Sequence, residues 1–201
     1  IFLPGVETHW HVFTMGTPAD YKLSVPSIDL DLNSKASLHV ESNWGRQFPD
    51  KWYWIAAVNP EEKVYLSIAG GTLPLFGIQK EAFLIGINTP EGVLDFSPAR
   101  PGAQYELNTN DCDFFQFTGW VGTYKFQITA EAPAGSFKVL NIPRPEGYIP
   151  GAWESLRANG TLKLWQGHLL SYVFNDYRLL GEYQIPLSAL EFGGGHRCLD
   201  K

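Results

Sequence analysis

Short runs rich in Val, Ile, Phe, Tyr and Trp recur along the chain, separated by Gly, Pro, Asn and Asp, and helical periodicity is nearly absent. This pattern predicts strands. The clearest hairpin joins 51–58 to 64–69 across Asn59-Pro60-Glu61-Glu62-Lys63, and a second joins 82–88 to 93–97 across Thr89-Pro90-Glu91-Gly92. Further strands are expected at 104–109, 114–119, 123–131 and 136–142. Proline and glycine crowd 144–153, which reads as a long surface connection. Strands are expected to resume at 161–166, 169–174 and 180–186, with a last one near 188–192. Many short strands at regular spacing imply an all-β fold, either an antiparallel barrel or a strongly curved sandwich, with little helix. The last fifty or so residues hold too few strands for a core of their own. The expectation is therefore one domain over 1–201.

Composition narrows the classes. The 201 residues are 44% hydrophobic and 18% charged, the balance of a chain that folds around a core. Aromatic residues reach 14%, which suits a β fold or a large apolar pocket. A net charge of −6 argues against a nucleic-acid surface. No apolar run approaches the roughly 18 residues of a spanning helix. Two cysteines, Cys112 and Cys198, offer neither a disulfide framework nor a zinc-type spacing. Two free thiols are expected, with a single bridge as the alternative.

The segment Glu41-Ser-Asn-Trp-Gly-Arg-Gln-Phe-Pro-Asp-Lys-Trp-Tyr-Trp54 is the most informative. Strand alternation puts Trp52 and Trp54 on one face and Lys51 and Tyr53 on the other. Two indoles in register form either a core layer or the wall of an apolar pocket. Trp44-Gly45 and Phe48-Pro49 read as a tight corner leading into that strand, and Asp50 and Lys51 as a surface turn. His9 and His11, two apart, would share a face of a strand. That spacing suits a metal, but no third ligand stands nearby. Gly193-Gly194-Gly195 lacks the Lys-Ser/Thr of a phosphate loop and is read as a backbone bend near the sheet's end.

The block NWGRQFPDKWYW resembles the NWG-x-x-FP-x-KW-[FY]-W block of the tocopherol cyclases. Upstream, LPGVETHWHVFTMG is similar to the family's FP-x-FE-x-HW-x-x-x-x-x-G stretch, placing His9 and Trp10 on its His-Trp pair. Downstream, KVYLSIAGGTLPL resembles a strand ending in three glycines, with Ala69 in place of the first. NGTLKLW is similar to a G-x-L-x-L strand. SALEFGGG resembles A-[VL]-E-[IF]-GGG and places Glu191 on the family's Glu, although His196-Arg197 follows where Pro-Trp would be expected. The blocks run in family order and match the second half of the family's length, the first half being absent.

The resemblance implies a lipocalin-like β architecture and the redox-neutral cyclisation of a prenylated hydroquinone to a chromanol. Such a reaction protonates a trisubstituted alkene, and the phenol oxygen then attacks. It needs an acid held neutral beside an apolar wall, aromatic faces for developing positive charge, and exclusion of water. It calls for no cofactor and no metal. Glu41, which matches a family Glu, is the first candidate acid. Its alternative role is a structural carboxylate bonded to the backbone amides of the corner. Glu191 is a second acid, or else a solvent-facing Glu, since it points away from Leu190 and Phe192. His9 would orient the phenol or relay a proton, or else serve as a structural histidine. Trp10, Trp44, Trp52 and Trp54 would contact the substrate. The alternative function is a non-catalytic relative that binds a prenyl lipid or pigment, or an accessory subunit of a membrane complex. Either way the implied setting is peripheral membrane contact in a plastid, at thylakoid or plastoglobule, or at a cyanobacterial thylakoid.

Overall fold

The computed structural model describes residues 8–45, 48–75, 78–144 and 146–196. Two long strands come first, β1 (Thr8–Val25) and β2 (Leu30–Gly45), joined by a short 3-10 turn at Pro26–Ile28 into a separate two-stranded ribbon. Ten strands follow: β3 (Lys51–Asn59), β4 (Val64–Leu75), β5 (Ile78–Thr89), β6 (Gly92–Phe96), β7 (Gln104–Thr109), β8 (Phe114–Val121), β9 (Tyr124–Glu131), β10 (Lys138–Arg144), β11 (Gly147–Gln166) and β12 (Arg178–Gly194). One helical turn, α1 (Ser171–Phe174), lies between β11 and β12.

The ten strands form a single antiparallel sheet in the order β6-β5-β4-β3-β12-β11-β9-β8-β7, with β10 added beside the first part of β11. The sheet curls so that its two ends meet across the interior. Phe96 of β6 packs against Tyr105 of β7 at 6.3 Å and against Phe117 of β8 at 5.4 Å between ring centroids. This is the antiparallel all-β architecture that the strand pattern predicts, in the curled, lipocalin-like form that the resemblance implies.

The concave interior is filled. Alternation along β3 sends Tyr53, Ile55 and Ala57 inward, where Phe83, Phe115, Phe117 and Phe126 stack against them and against one another. Burial of such side chains, at about 1.5–3 kcal/mol each, drives the closure. The ribbon lies on the convex face instead. Ser67 of β4 donates to Glu41 of β2, and Met15 approaches Gly86 of β5. Gly16, at φ +78°, sits where a Cβ would fall 2.0 Å from the Tyr65 ring, so only glycine lets the ribbon descend there.

Three sequence expectations are corrected. The stretch 144–153 is a hairpin, not a surface connection, with Arg144 paired to Gly147. Pro150 falls on the first part of β11 and the preceding Pro143 on β10, an edge where a missing N–H is tolerated. The segment 169–174 is not a strand: it carries α1, with the backbone N–H of Phe174 bonded to the Leu170 carbonyl. Cys112 is disulfide-bonded rather than a free thiol. Cys198 lies outside the described residues, as do 3–7 of the His-Trp block, Arg46 and Gln47 of the Asn-Trp-Gly block, and Arg197.

Candidate functional site

Because Tyr53 and Ile55 face the core, Trp52 and Trp54 emerge on the convex face beneath the ribbon. Pairing sets Trp54 opposite Ala69 on one side and Glu191 on the other, and sets Glu191 opposite Glu154. Directly paired residues share a face. One row across β3, β12 and β11 therefore carries an indole and two carboxylates. The neighbouring row carries Gly71, Trp52 and Gly193. A Cβ on Gly193 would lie 1.9 Å from the Trp52 ring, so glycine there lets the indole lie flat across β12. From that position Trp52 Nε1 donates to Glu191 Oε1 at 2.5 Å.

These rows floor a cavity of about 500 Å³ with mostly apolar walls. Thr8, His9, Trp10, Glu41 and Asn43 of the ribbon roof it, and Phe48-Pro49 and Pro98-Ala99 close its sides. Such a volume lies within the range of small-molecule sites. Two indole donors at this cavity, Trp10 Nε1 and Trp54 Nε1, are buried and make no hydrogen bond among the described residues.

The carboxylates differ in environment. Burial pushes the Glu191 carboxyl up to about 7; the Trp52 hydrogen bond opposes this, and the charges of Glu154 and Glu41 add to it. Burial raises the Glu154 carboxyl as well. Glu41 lies 2.8 Å from His39 Nε2 and accepts from Ser67 Oγ at 3.3 Å. Among the described residues its partners are thus side chains on the ribbon and the sheet, not the backbone amides of the corner. Glu191 points away from Leu190 and Phe192 as expected, but into the cavity wall and not into solvent.

A second polar cluster braces the floor from below. Asp111, in the β7–β8 turn, is held 2.9 Å from Lys51 Nζ and accepts from the Tyr53 hydroxyl at 3.2 Å. Burial alone would raise its carboxyl, but Lys51, His196 and Tyr53 hold it below the usual range. The His196 ring lies with Nδ1 3.3 Å from Asp111 and Nε2 2.6 Å from the Trp52 carbonyl oxygen. Lys51 is therefore an anchor of this cluster, not part of a surface turn.

The structure brings together Glu41, Glu191, His9, Trp10, Trp52 and Trp54 around one cavity. Trp44 is not among its lining residues; it stacks on His9 at 5.5 Å and is largely exposed on the outer side of the ribbon. His11 lies outside the cavity too, edge-on to Phe13 at 4.8 Å. Sequence reasoning missed Glu154, His39 and Ser67. Alternation along β11 would have put Glu154 on the cavity face had 147–166 been read as a strand.

The tocopherol cyclase-like family model matches residues 2–194. Among curated proteins, the chain is 26% identical over 224 aligned residues to the probable chloroplastic tocopherol cyclase of Oryza sativa subsp. japonica, covering 96% of this chain and 41% of the relative. It is 27% identical over 202 residues to the chloroplastic tocopherol cyclase of Zea mays, covering 96% of this chain and 40% of that relative. The chain thus spans about two fifths of the length of these relatives. No solved structure matches.

Proposed function

We propose that this chain, which belongs to the tocopherol cyclase-like family, binds a prenylated hydroquinone in the cavity under the ribbon and cyclises it to a chromanol. The observation that carries the reading is Glu191. Its carboxyl is pushed up to about 7 and is fixed by an indole N–H inside a mostly apolar cavity. An acid of that kind is still about half protonated at pH 7, where an ordinary glutamic acid is almost wholly ionised.

The steps balance as an isomerisation. Glu191 gives its proton to the less substituted carbon of the alkene, and positive charge develops on the tertiary carbon. The π faces of Trp52 and Trp54 stabilise that charge. The phenol oxygen attacks the tertiary carbon and closes the ring. Its proton passes to Glu41, held by His39 and Ser67, and exchange with water reprotonates Glu191. No electrons are gained or lost. The buried N–H groups of Trp10 and Trp54 are suited to hold the oxygens of the hydroquinone, since a donor without an acceptor is costly to bury. His9 touches the cavity roof, but its ring stacks on Trp44, with which it shares the outer face of the ribbon, so no step is given to it. The plant relatives are named chloroplastic, which supports a plastid setting; thylakoid or plastoglobule is the finer proposal.

A second reading, a prenyl-lipid-binding or accessory subunit, is favoured by the filled concave interior. Room for a ligand lies under a two-stranded ribbon rather than inside the curled sheet.

Incubating the purified protein with a prenylated hydroquinone under argon and separating the chromanol by chromatography tests the first reading. Glu191→Gln is expected to slow cyclisation by at least about a hundredfold, with ligand binding, read by tryptophan quenching, close to that of the unsubstituted chain. Undiminished turnover in that variant would remove Glu191 from the mechanism. Binding without turnover by the unsubstituted protein would establish the second reading.

A further inference from the structure

The polar cluster beneath the cavity floor contains a histidine that the cyclisation steps leave without a role. Where the family pattern would have proline, this chain has His196. Strand β12 stops pairing with β3 at Gly194, opposite Lys51. Gly194, at φ +73°, turns the chain back against Asp50, and the Gly195 N–H donates to the Asp50 carbonyl at 2.8 Å. The turn delivers the His196 side chain into the interior, where none of it is exposed. Its ring stands edge-on to Tyr53 at 4.7 Å and to Phe192 at 5.2 Å.

The partners of this ring fix its protons. Nε2 lies 2.6 Å from the Trp52 carbonyl oxygen, which can only accept, so Nε2 carries a proton. Nδ1 lies 3.3 Å from Asp111 and makes no hydrogen bond among the described residues. Burial holds the ring below the usual histidine range; the Trp52 carbonyl and Asp111 oppose this, and the charge of Lys51 adds to it. The ring is therefore neutral at pH 7, as the Nε2–H tautomer. A second proton, taken up on Nδ1 at lower pH, would leave the Nε2–H bond in place, so the tie to Trp52 does not come and go with pH.

Trp52 is thus gripped twice by one short stretch of chain. His196 holds its carbonyl from the interior, and Glu191, five residues earlier, accepts from its indole N–H on the cavity side. That indole bond matters to the acid. Burial raises the Glu191 carboxyl, Glu154 on β11 and Glu41 on β2 raise it further, and the Trp52 hydrogen bond opposes all three. We infer that His196 is a positioning residue, which fixes Trp52 by its carbonyl so that the indole N–H stays aimed at Glu191. His196 does not line the cavity and touches no reacting atom. The inference deepens the cyclisation reading and rests on Glu191 being its acid, yet it can be tested without turnover.

Nuclear magnetic resonance of the labelled protein provides the test. The Glu191 carboxyl signal is the one lost in Glu191→Gln, and the Trp52 Nε1–H signal the one lost in Trp52→Phe. Long-range 1H–15N spectra of the unsubstituted protein should show the His196 ring as the Nε2–H tautomer at pH 7. In His196→Leu, which fills the site but donates nothing, the Trp52 signal should move toward that of an indole without an acceptor. The Glu191 midpoint should rise there by about 0.5–1 pH unit, because a bond to its ionised form is weakened. His196→Gln, whose amide N–H can reach the same carbonyl, should restore both. Cyclisation by His196→Leu should fall about ten- to a hundredfold in kcat with little change in KM, and the alkaline limb of its pH profile should move upward. An Nδ1–H tautomer overturns the inference, and needs no variant to be seen. So does a Glu191 midpoint that stays in place or falls in His196→Leu, as solvent entering through a loosened floor would cause, and so does a His196→Gln protein that behaves like His196→Leu. A Glu191 midpoint near 4.5 in the unsubstituted protein would instead refute the cyclisation reading, while the tautomer and the Trp52 signal would still decide the role of His196.

Discussion

Replacing Glu191 by glutamine should make the protein more stable at alkaline pH, and the structure gives the size of the effect. The carboxyl lies at about 7 in the fold against an ordinary 4.5. A group whose folded value is raised contributes stability that is fully present below its unfolded value and is lost as pH rises through its folded value. Over the window from about 4.5 to about 7, that loss amounts to roughly 3 kcal/mol. Glutamine keeps an oxygen to accept from Trp52 Nε1 but has no charge to bury. Relative to the unsubstituted protein, Glu191→Gln should therefore be near neutral below about pH 5 and stabilising by up to roughly 3 kcal/mol at about pH 8. Urea unfolding of both proteins across this range, with the disulfide kept oxidised, measures it. Two stability curves that run parallel from acid to alkaline pH would refute the reasoning, because Glu191 would then be solvated and unable to serve as a neutral acid.

Other consequences follow from the same contacts. Gly193→Ala should cost about 1–3 kcal/mol and displace the Trp52 indole from Glu191, read as a lowered melting temperature and a shifted tryptophan emission. Asp111→Ala, which strips Lys51, Tyr53 and His196 of their shared partner, should cost about 2 kcal/mol in chemical denaturation and loosen the cavity floor. Phe117→Ala, at the centre of the interior stack, should cost about 3–5 kcal/mol in the same assay while leaving the convex cavity in place. Glu41→Gln, which keeps an oxygen for Ser67 but cannot take up a proton, should slow cyclisation more than it weakens binding.

Much of the sheet was legible because local pattern and tertiary pairing agree there. The run 104–109 alternates cleanly and is β7 to the residue. The two hairpins around Asn59 and Thr89 carry turn residues that leave little choice of register. The failures have physical causes. Prolines and glycines in 144–153 suggested a connection, yet an edge strand tolerates them, and β11 runs through Trp153 and Glu154. The apolar run at 169–174 read as a strand, but its apolar side chains face outward around one helical turn, with Ser171 buried. The direction of Glu191 could be read from its neighbours Leu190 and Phe192. Its burial could not, because the roof over it is the ribbon of residues 8–45, remote in sequence. The same remoteness hid the partnership of Glu41 with Ser67.

Glu41 and Glu191 differ as candidate acids in what surrounds each carboxyl. Glu41 sits against a histidine and a serine hydroxyl that supply partners to a carboxylate. Glu191 has one indole donor and two further carboxylates as neighbours. At pH 7 the Glu191 carboxyl, with its midpoint at about 7, is about half protonated. An acid titrating at about 7 is a weaker donor than one at 4.5, but its populated acid form compensates, the compromise expected of a general acid matched to its working pH. The pairing of Glu154 with Glu191 across β11 and β12 contributes to that balance from the neighbouring strand. Ionising Glu154 disfavours ionising Glu191, so Glu154→Gln should lower the midpoint of Glu191 and move the alkaline limb of the activity profile toward lower pH. An unchanged profile in that variant would mean that burial alone sets the acid, with its cross-strand neighbour contributing nothing.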